Sequence, residues 1–402
     1  MVRKAAASDS GFTVTVSPRG ASRLKDGHVW VYRSDIVSAA GIAPGSLVAV
    51  ADQRGQFLGT ALYSSSSQIA IRLISHDPVA DFPALLRQRV VDAITYREPI
   101  VRDTNAYRVI FSEADFLPGL IVDRYHDILS MQILTQAIDG EIVRETLISE
   151  LTERLQPTAI VERVDPRVRQ LEELPSRSSG LLRGEKTSTI FTMNGVQFHF
   201  DSLEGQKTGA FLDQRENYAA AAQYAHGDAL DVFCYQGGFA LHLAPRCSHV
   251  TGIDSSRPAL EIADQNAVLN RPQFAGKEVE WIEANAFDLL KDYAGSGRRY
   301  DTVVLDPPAF AKSKRDLDAA MRGYKELNLR ALKMLRPGGT LVSCSCSYHV
   351  SQADFLEMLR LAAHDAHRTA RLVEVRGQSK DHPILLNVPE TAYLKCLIVN
   401  VR

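Results

Sequence analysis

The chain has 402 residues, of which 45% are hydrophobic and 23% are charged, and its formal net charge is −2 at pH 7. This composition is typical of globular proteins, and the length predicts two or three domains. The near-neutral charge excludes a global basic field, so any nucleic-acid partner has to be held by local basic patches.

Neither the N-terminus nor any later stretch has the pattern of a targeting or membrane segment. The first residues, MVRKAAASDSGFTVTV, lack the apolar core of a signal peptide, and no stretch approaches the roughly 20 apolar residues of a membrane helix. The cysteines are odd in number and lie in the second half, which does not fit a disulfide framework. We therefore expect a cytoplasmic protein with no membrane association.

Residues 1–77 contain five short apolar runs separated by Gly and Asp: FTVTV, HVWVY, LVAVAD, QFLGTALYS and QIAIRLIS. Alternation of this kind predicts a small all-β barrel. Residues 78–190 are mixed and predict an α+β middle domain. It has helices at FPALLRQRVVDAITYRE and EIVRETLISELTERL, a strand-turn-strand segment with Pro118 and Gly119 at its turn, a strand at TAIVERV and a polar connector at 171–190.

From residue 191 to 402 the apolar runs alternate with helical segments. The runs are ALDVF, HVTGID, VEWIEA, YDTVVLDPP and GGTLVSCSC. Strands that alternate with helices predict a doubly wound α/β domain, with a parallel sheet covered on both faces.

Polar residues follow three successive predicted strands of this domain. The first strand leads into DVFCYQGGFA (231–240), where glycines allow close approach of a ligand to the backbone and a helix begins. Asp254 ends the next strand and suits a ribose diol, whereas Asn285 and Phe287 follow the third and suit adenine. The alternative is that the glycines only shape a turn and Asp254 only caps a helix. The first turn lacks GxGxxG spacing, which disfavours a dinucleotide dehydrogenase.

The fourth strand ends in Asp306-Pro307-Pro308-Ala309-Phe310. Two prolines stiffen the backbone at the edge of the sheet where ligands bind, which suits a planar base with an exocyclic amine. The alternative is a rigid loop with a helix-capping aspartate.

Cys344 and Cys346 lie two residues apart on the fifth strand and therefore point to one face. Only His349 is near, so neither a metal site nor a disulfide is expected. The alternatives for each are a buried structural cysteine and a catalytic thiolate. We favour catalysis for Cys346, which lies where the strand leaves the sheet in line with the Asp306 loop, and a structural role for Cys344. A thiolate that adds at carbon 6 of a pyrimidine makes carbon 5 nucleophilic enough to accept a methyl group, and an acid such as Asp306 stabilises the adduct at N3.

Nearly the whole sequence resembles the bacterial RlmI family, the cytosine-C5 methyltransferases of large-subunit ribosomal RNA. The resemblance rests on HVWVYRSDI and GQFLGTALYSSSSQIAIRLIS, FLPGLIVDRY, GQKTGAFLDQREN (205–217), DVFCYQGGF, TGIDSS, LDPPAFAKSK, SCSCSYHVS and GQSKDHPILLNVPETAYLK. It implies an RNA-binding PUA-like barrel, the middle domain, and a Rossmann-like class I domain that binds S-adenosylmethionine.

The resemblance also implies site residues. Cys346 matches the nucleophile and Asp306 the catalytic-loop acid. The cofactor positions are Lys207, Thr208, Phe211, Asp213, Gln214, Arg215, Asp231, Phe233, Tyr235, Gly237, Asp254, Ser255, Asn285, Ala286, Phe287, Asp306 and Pro307. Two positions differ from related enzymes. Asn285 replaces the usual Asp at the adenine, and Ala309 replaces a second loop cysteine, which puts a two-cysteine release of the product in doubt.

Ribosomal RNA, 23S or its precursor particle, is the expected partner, and a homodimer is a further expectation. The predicted RNA contacts are Arg23, Lys25, Trp30, Lys312, Lys314 and Arg315. The alternative for each is an ordinary surface charge or a barrel-core aromatic. Two other functions stay open: a methyltransferase acting on nitrogen, which needs no thiolate, and a non-catalytic ribosome-assembly protein with a decayed cofactor site.

Overall fold

The computed structural model describes residues 11–202, 210–274, 276–277, 279–311 and 313–402. These residues form two compact units. The first consists of residues 11–189, 201–202 and Lys380–Thr391, and the second of Ile190–Phe200, the described part of 210–379 and Ala392–Arg402. The division into three domains at residues 77 and 190 stays a prediction.

Six strands of the first unit form one sheet: β1 (Thr13–Val16), β2 (Trp30–Tyr32), β3 (Ile36–Ser38), β4 (Leu47–Ala51), β5 (Phe57–Tyr63) and β6 (Ile69–Ser75). They pair in the order β2-β6-β5-β4-β1-β3 around a core of alternating apolar side chains. The strand pattern did not predict helix α1 (Pro18–Lys25), which Ser17 caps by accepting from the Gly20 amide at 3.2 Å.

A second sheet of the first unit contains β7 (Ala106–Phe111), β8 (Leu120–Tyr125), β9 (Ile128–Ile133), β10 (Ala159–Glu162) and β11 (Gly180–Arg183), in the order β11-β10-β9-β8-β7. Its helices are α2 (Phe82–Arg97), α3 (Glu141–Leu155) and α4 (Pro166–Leu171). Strand β11 lies inside the segment predicted as a connector and pairs antiparallel with β10. Its apolar residues are few, so periodicity did not reveal it.

A hairpin of β12 (Ser188–Met193) and β13 (Val196–Asp201) follows. Its turn is Asn194-Gly195, with φ values of 49° and 83°. Both residues therefore adopt the left-handed conformation that a tight two-residue hairpin turn needs, and Asn-Gly is the pair that tolerates it best.

The second unit is built on a seven-stranded sheet. Its strands are β14 (Asp228–Val232), β15 (His249–Asp254), β16 (Val279–Glu283), β17 (Tyr300–Leu305), β18 (Leu335–Ser345), β19 (Ala370–Arg376) and β20 (Lys395–Val401). Its helices are α5 (Arg215–Tyr224), α6 (Gly238–Leu243), α7 (Arg257–Asn270), α8 (Ala286–Gly295), α9 (Leu317–Met334) and α10 (Gln352–Asp365). None of the described helices combines the length and apolar character needed to cross a membrane.

The strand order β16-β15-β14-β17-β18-β20-β19 confirms the doubly wound fold. Strands β14 to β18 are parallel, and β20 is antiparallel to both of its neighbours. The chain runs from β14 towards one edge and then returns to β17 on the other side of β14. Ligands of such sheets bind at the carboxyl ends of the strands beside this reversal, which is where Asp231 and Asp306 lie.

Candidate active site

The turn after β14 is held in an uncommon backbone conformation. Phe233, Tyr235 and Gly237 have φ values of 67°, 49° and 86°. A left-handed non-glycine residue costs roughly 1 kcal/mol or more and persists where neighbouring contacts impose it. Here the Asp254 carboxylate accepts from the Tyr235 amide at 2.9 Å, so the end of β15 fixes the turn.

Two aromatic rings press against the glycines of this turn. A Cβ on Gly237 would lie 2.9 Å from the Trp281 ring, and one on Gly238 would lie 2.6 Å from the Tyr218 ring. Gly252 on β15 meets Trp281 in the same way, at 2.4 Å. Sequence reasoning missed Trp281. The indole Nε1 is buried without a hydrogen-bond partner in the described structure.

Asp231, at the carboxyl end of β14, is fully buried. Its Oδ2 accepts from the Ala240 amide at 2.8 Å, whereas its Oδ1 is buried without a hydrogen-bond partner among the described residues. Burial, helped by the charges of Asp306 and Asp254, raises the pKa of Asp231 to about 8. A buried, unpartnered carboxylate oxygen is costly, so this atom suits the amino group of a ligand.

Asp254, the predicted ribose contact, already binds two backbone amides. Asp254 uses both carboxylate oxygens on backbone amides, those of Tyr235 and Ser256, each at 2.9 Å. Each oxygen has a further lone pair that can accept from a ribose hydroxyl. The neighbouring Ser255 is exposed.

Asn285 is the N-cap of α8. Its Oδ1 accepts from the amides of Phe287 at 2.9 Å and Asp288 at 3.4 Å. The sequence interpretation had this carbonyl accept from the adenine amine, but the helix already occupies it. The side-chain NH₂ is the group left, and it can donate to a ring nitrogen of adenine. Beside it lie buried Ala286 and the rings of Phe287 and Phe310, whose centroids are 5.9 Å apart. This apolar surface suits the predicted adenine.

Asp306 lies at the end of a chain of hydrogen bonds that the sequence did not reveal. Gln214, which is buried, donates to the Asp306 carboxylate at 2.9 Å. Asn217 donates to the Gln214 oxygen at 2.6 Å, and Arg376 donates to Asn217 at 2.9 Å. A carboxylate held through buried amides has few alternative rotamers, so this relay orients Asp306.

The predicted segment before α5 is partly described. Its residues Lys207 and Thr208 lie outside the described residues. The same holds for Lys312, a predicted RNA contact in the loop after β17. The Phe211 ring meets that of Tyr235 edge-on, with centroids 5.1 Å apart, which brings the segment against the β14 turn. Asp213 accepts from the Tyr393 hydroxyl at 2.7 Å, and Arg215 is buried at the start of α5.

Cys346 differs from the other four cysteines, all of which are buried. It follows the last residue of β18 and is half-buried, and its Sγ lies 4.0 Å from the carbonyl oxygen of Pro307. Cys344 is fully buried opposite Cys396 on β20. Burial, together with Cys396, raises the pKa of the Cys344 thiol far above its usual value, so this thiol stays protonated. Cys344 also lies near Asp306, but it is buried and protonated, whereas Cys346 is half-buried beside the Pro307 carbonyl.

The predicted RNA contacts of the barrel are engaged within the chain. Arg23 pairs with Asp35 at 3.4 Å, Lys25 pairs with Asp52 at 3.5 Å, and the Trp30 indole donates to Glu113 at 3.2 Å. Lys314 and Arg315, in a short 3₁₀ helix after the Asp306 loop, are exposed and form no ion pair with any described residue.

The residues at this edge fit S-adenosylmethionine on the structure's own terms. The unpartnered Asp231 oxygen can accept a hydrogen bond from an amino group, and the glycine turn lets a ligand approach the backbone closely. Asp254 and the Asn285 amide lie at the ends of the next two strands. These groups could take a cofactor with an amino-acid end, a ribose and a base in that order.

Comparisons with known proteins confirm the resemblance seen in the sequence. A model of PUA-like domains matches residues 14–76, and a model of S-adenosylmethionine-dependent methyltransferases matches residues 120–400. Ribosomal RNA large subunit methyltransferase I of Shewanella amazonensis is 37% identical over 399 residues, covering 96% of this chain and 99% of that protein. The protein of the same name from Yersinia pseudotuberculosis is 37% identical over 377 residues, covering 92% and 94%.

Among solved structures, a methyltransferase complexed with SAH has a TM-score of 0.82 at 18% identity, covering 97% of this chain and 100% of that chain, which shows the shared fold. The family match over residues 120–400 establishes S-adenosylmethionine as the cofactor. The chain therefore belongs to the S-adenosylmethionine-dependent methyltransferases, in the family of ribosomal RNA large subunit methyltransferase I.

Proposed function

We propose that this chain methylates carbon 5 of a cytosine in 23S ribosomal RNA, as free RNA or as a precursor particle, in the cytoplasm. The name of its relatives, ribosomal RNA large subunit methyltransferase I, supports the RNA substrate. The carbon-5 chemistry rests on one observation: Cys346 is the half-buried cysteine of the five, and its Sγ lies 4.0 Å from the Pro307 carbonyl of the Asp306 loop.

The cofactor, when bound, supplies an electrophilic sulfonium methyl group. Asp231 would hold its amino group, Asp254 its ribose, and Asn285 with Phe287 its adenine. Each of these residues stands at the carboxyl end of a parallel strand or in the segment directly after it. The methyl donor would then lie at the same sheet edge as Cys346.

Cys346 has the task of making carbon 5 reactive. Its thiolate adds to carbon 6 of the cytosine, and the ring electrons then reach carbon 5. Asp306 in its protonated form, oriented by Gln214, would donate a hydrogen bond to N3, where negative charge develops in the adduct. After methyl transfer, a base removes the carbon-5 proton and the thiolate leaves. Ala309 carries no group for that proton, so this role stays unassigned.

The RNA is held by positive charge near the target. Lys314 and Arg315 are exposed beside the Asp306 loop, and no described acid neutralises them. Tyr348, two residues after Cys346, is 45% exposed and offers a face on which an unstacked base can stack.

A homodimer stays a prediction, for which analytical ultracentrifugation is the test.

The test is transfer of tritium from S-adenosylmethionine to ribosomal RNA taken from cells that lack the protein. Nucleoside digestion identifies the product. We expect labelled 5-methylcytosine, a loss of at least about 10³-fold for Cys346→Ala, and retained activity for the matched variant Cys344→Ala.

Label on a nitrogen that is insensitive to both substitutions would contradict the carbon-5 chemistry and favour methylation of an exocyclic amine. Calorimetry with S-adenosylmethionine addresses the remaining alternative. Absence of binding would indicate a non-catalytic assembly protein.

A further inference from the structure

A buried lysine lies beside the proposed nucleophile. Lys395 is the first residue of β20, opposite Ser345 on β18, and only 6% of it is exposed. Its Nζ donates to the carbonyl oxygen of Ser347 at 2.6 Å and to that of Tyr393 at 2.8 Å. Ser347 is the residue directly after Cys346, so the lysine is anchored to the backbone that carries the thiol.

The Lys395 ammonium forms no ion pair with an acidic side chain in the described part of the chain. Carbonyl oxygens satisfy two of its three N–H groups. Burying an ammonium without a counter-charge is costly, and few structural sites keep one. Burial lowers the pKa of Lys395 to about 8, and the charge of Cys346 acts in the opposite direction. The lysine is therefore mostly charged at pH 7.

We propose that the Lys395 ammonium stabilises the thiolate of Cys346 and, through its two carbonyl contacts, positions the segment that carries it. The inference rests on the proposed function, in which Cys346 is the nucleophile. An interaction between two charges is mutual, so a thiolate that favours the ammonium is favoured by it to the same extent. Nucleophilic cysteines characteristically lie next to a basic group for this reason.

Other titratable groups lie on the described elements around the thiol. They are Tyr324 on α9, Asp306 after β17, Cys344 on β18, His349 after β18 and Cys396 on β20. Tyr324 hydrogen-bonds with the hydroxyls of Ser345 and Ser347, and burial raises its pKa, so it remains a neutral phenol. Cys344 is neutral too. Among the described residues, Lys395 is the buried cation of this set.

Alkylation of the intact protein tests the proposal without RNA or cofactor. The other four cysteines are buried, so iodoacetamide should modify Cys346, which peptide mapping verifies. For Lys395→Met we expect about tenfold slower alkylation at pH 7 and a pH profile displaced upward by about one unit. Lys395→Arg should keep most of the rate, and Lys333→Met, an exposed lysine on α9, should match the wild type.

A second reagent separates charge from structure. Iodoacetate is an anion, so a neighbouring ammonium should raise its rate relative to neutral iodoacetamide, and Lys395→Met should lower that ratio. A purely structural role would change both rates alike. An unchanged ratio and pH profile in Lys395→Met would overturn the proposal. If that variant does not fold, a wild-type alkylation midpoint at or above pH 9 would overturn it, and one near pH 7 would support it.

Failure of this proposal is distinguishable from failure of the proposed function. Should Cys346→Ala still form 5-methylcytosine while Lys395→Met changes the alkylation ratio, the ammonium–thiolate pair stands and the nucleophile assignment falls. An abolished product in Cys346→Ala with an unchanged ratio in Lys395→Met gives the reverse result.

Discussion

The predicted RNA contacts of the barrel and the predicted cofactor contacts at the carboxyl edge of the seven-stranded sheet differ in whether they have partners within the chain. In the barrel, Arg23, Lys25 and Trp30 each have a partner within the chain. At the sheet edge, Asp231 Oδ1 and Trp281 Nε1 are buried with no hydrogen-bond partner among the described residues. Buried polar atoms are nearly always paired in folded proteins. Unpaired ones also occur away from this edge, such as Ser130 Oγ on β9, so it is the position of Asp231 at the ligand-binding edge of the sheet that points to a ligand.

The comparison also separates two kinds of basic residue. Arg23 is partly buried and its charge is committed within the chain, to the buried carboxylate of Asp35. Lys314 and Arg315 form no ion pair with any described acid, and we propose that they bind RNA phosphates. A residue type alone does not distinguish these roles, whereas the partner does.

Among the substitutions that test this comparison, Asp231→Asn is expected to have the largest effect. Asp231→Asn should weaken S-adenosylmethionine binding by about 100-fold, because a charge-assisted hydrogen bond contributes roughly 1.5–3 kcal/mol. Calorimetry measures the affinity. Asp228→Asn is the matched control, since Asp228 lies at the opposite end of the same strand and pairs with Arg336. Equal affinities for wild type and Asp231→Asn would remove Asp231 from the site.

The pH dependence of binding sharpens this test. With its pKa raised to about 8, Asp231 is mostly protonated at pH 7 in the free protein. A ligand ammonium favours the carboxylate, so binding releases a proton and this contribution to affinity grows as the pH rises towards 8. Calorimetry in buffers of different ionisation enthalpy measures the release, which Asp231→Asn should lose.

A smaller effect is expected from the relay behind Asp306. Asn217→Ala removes the link between Arg376 and Gln214 and leaves Asp306 less well oriented. We expect kcat to fall about tenfold with little change in KM for the cofactor, because positioning acts on the chemical step. Arg371→Ala, an exposed change on β19, is the control. A normal kcat in Asn217→Ala would show that the relay is structural only.

The smallest effects concern RNA binding. The double substitution of Lys314 and Arg315 by Ala should reduce the slope of log affinity against log salt by about 1–2, since each phosphate contact releases a counterion. The same change at Arg23 and Lys25 should alter the slope by less, because their charges are already paired. The opposite ranking, read from titrations at several salt concentrations, would place the RNA contact on the barrel.

The polar residues at the strand ends could be predicted from the sequence, because each lies at or just after the end of an apolar run. Asp231, Asp254, Asp306 and Cys346 were all found in this way. The sequence did not allow prediction of Trp281, Lys395 or the relay through Asn217. Their importance depends on partners that are distant in the sequence: 159 residues separate Asn217 from its partner Arg376 on β19. Asn285 shows a further limit, since capping and adenine binding use the same side chain.

The most direct test of the central claim uses RNA that carries 5-fluorocytosine at the target position. Fluorine replaces the proton that must leave carbon 5, so after methyl transfer the thiolate stays bonded to carbon 6. The account predicts a stable protein–RNA adduct that requires S-adenosylmethionine and maps by mass spectrometry to the peptide containing Cys346. No adduct, or an adduct on another residue, would contradict it.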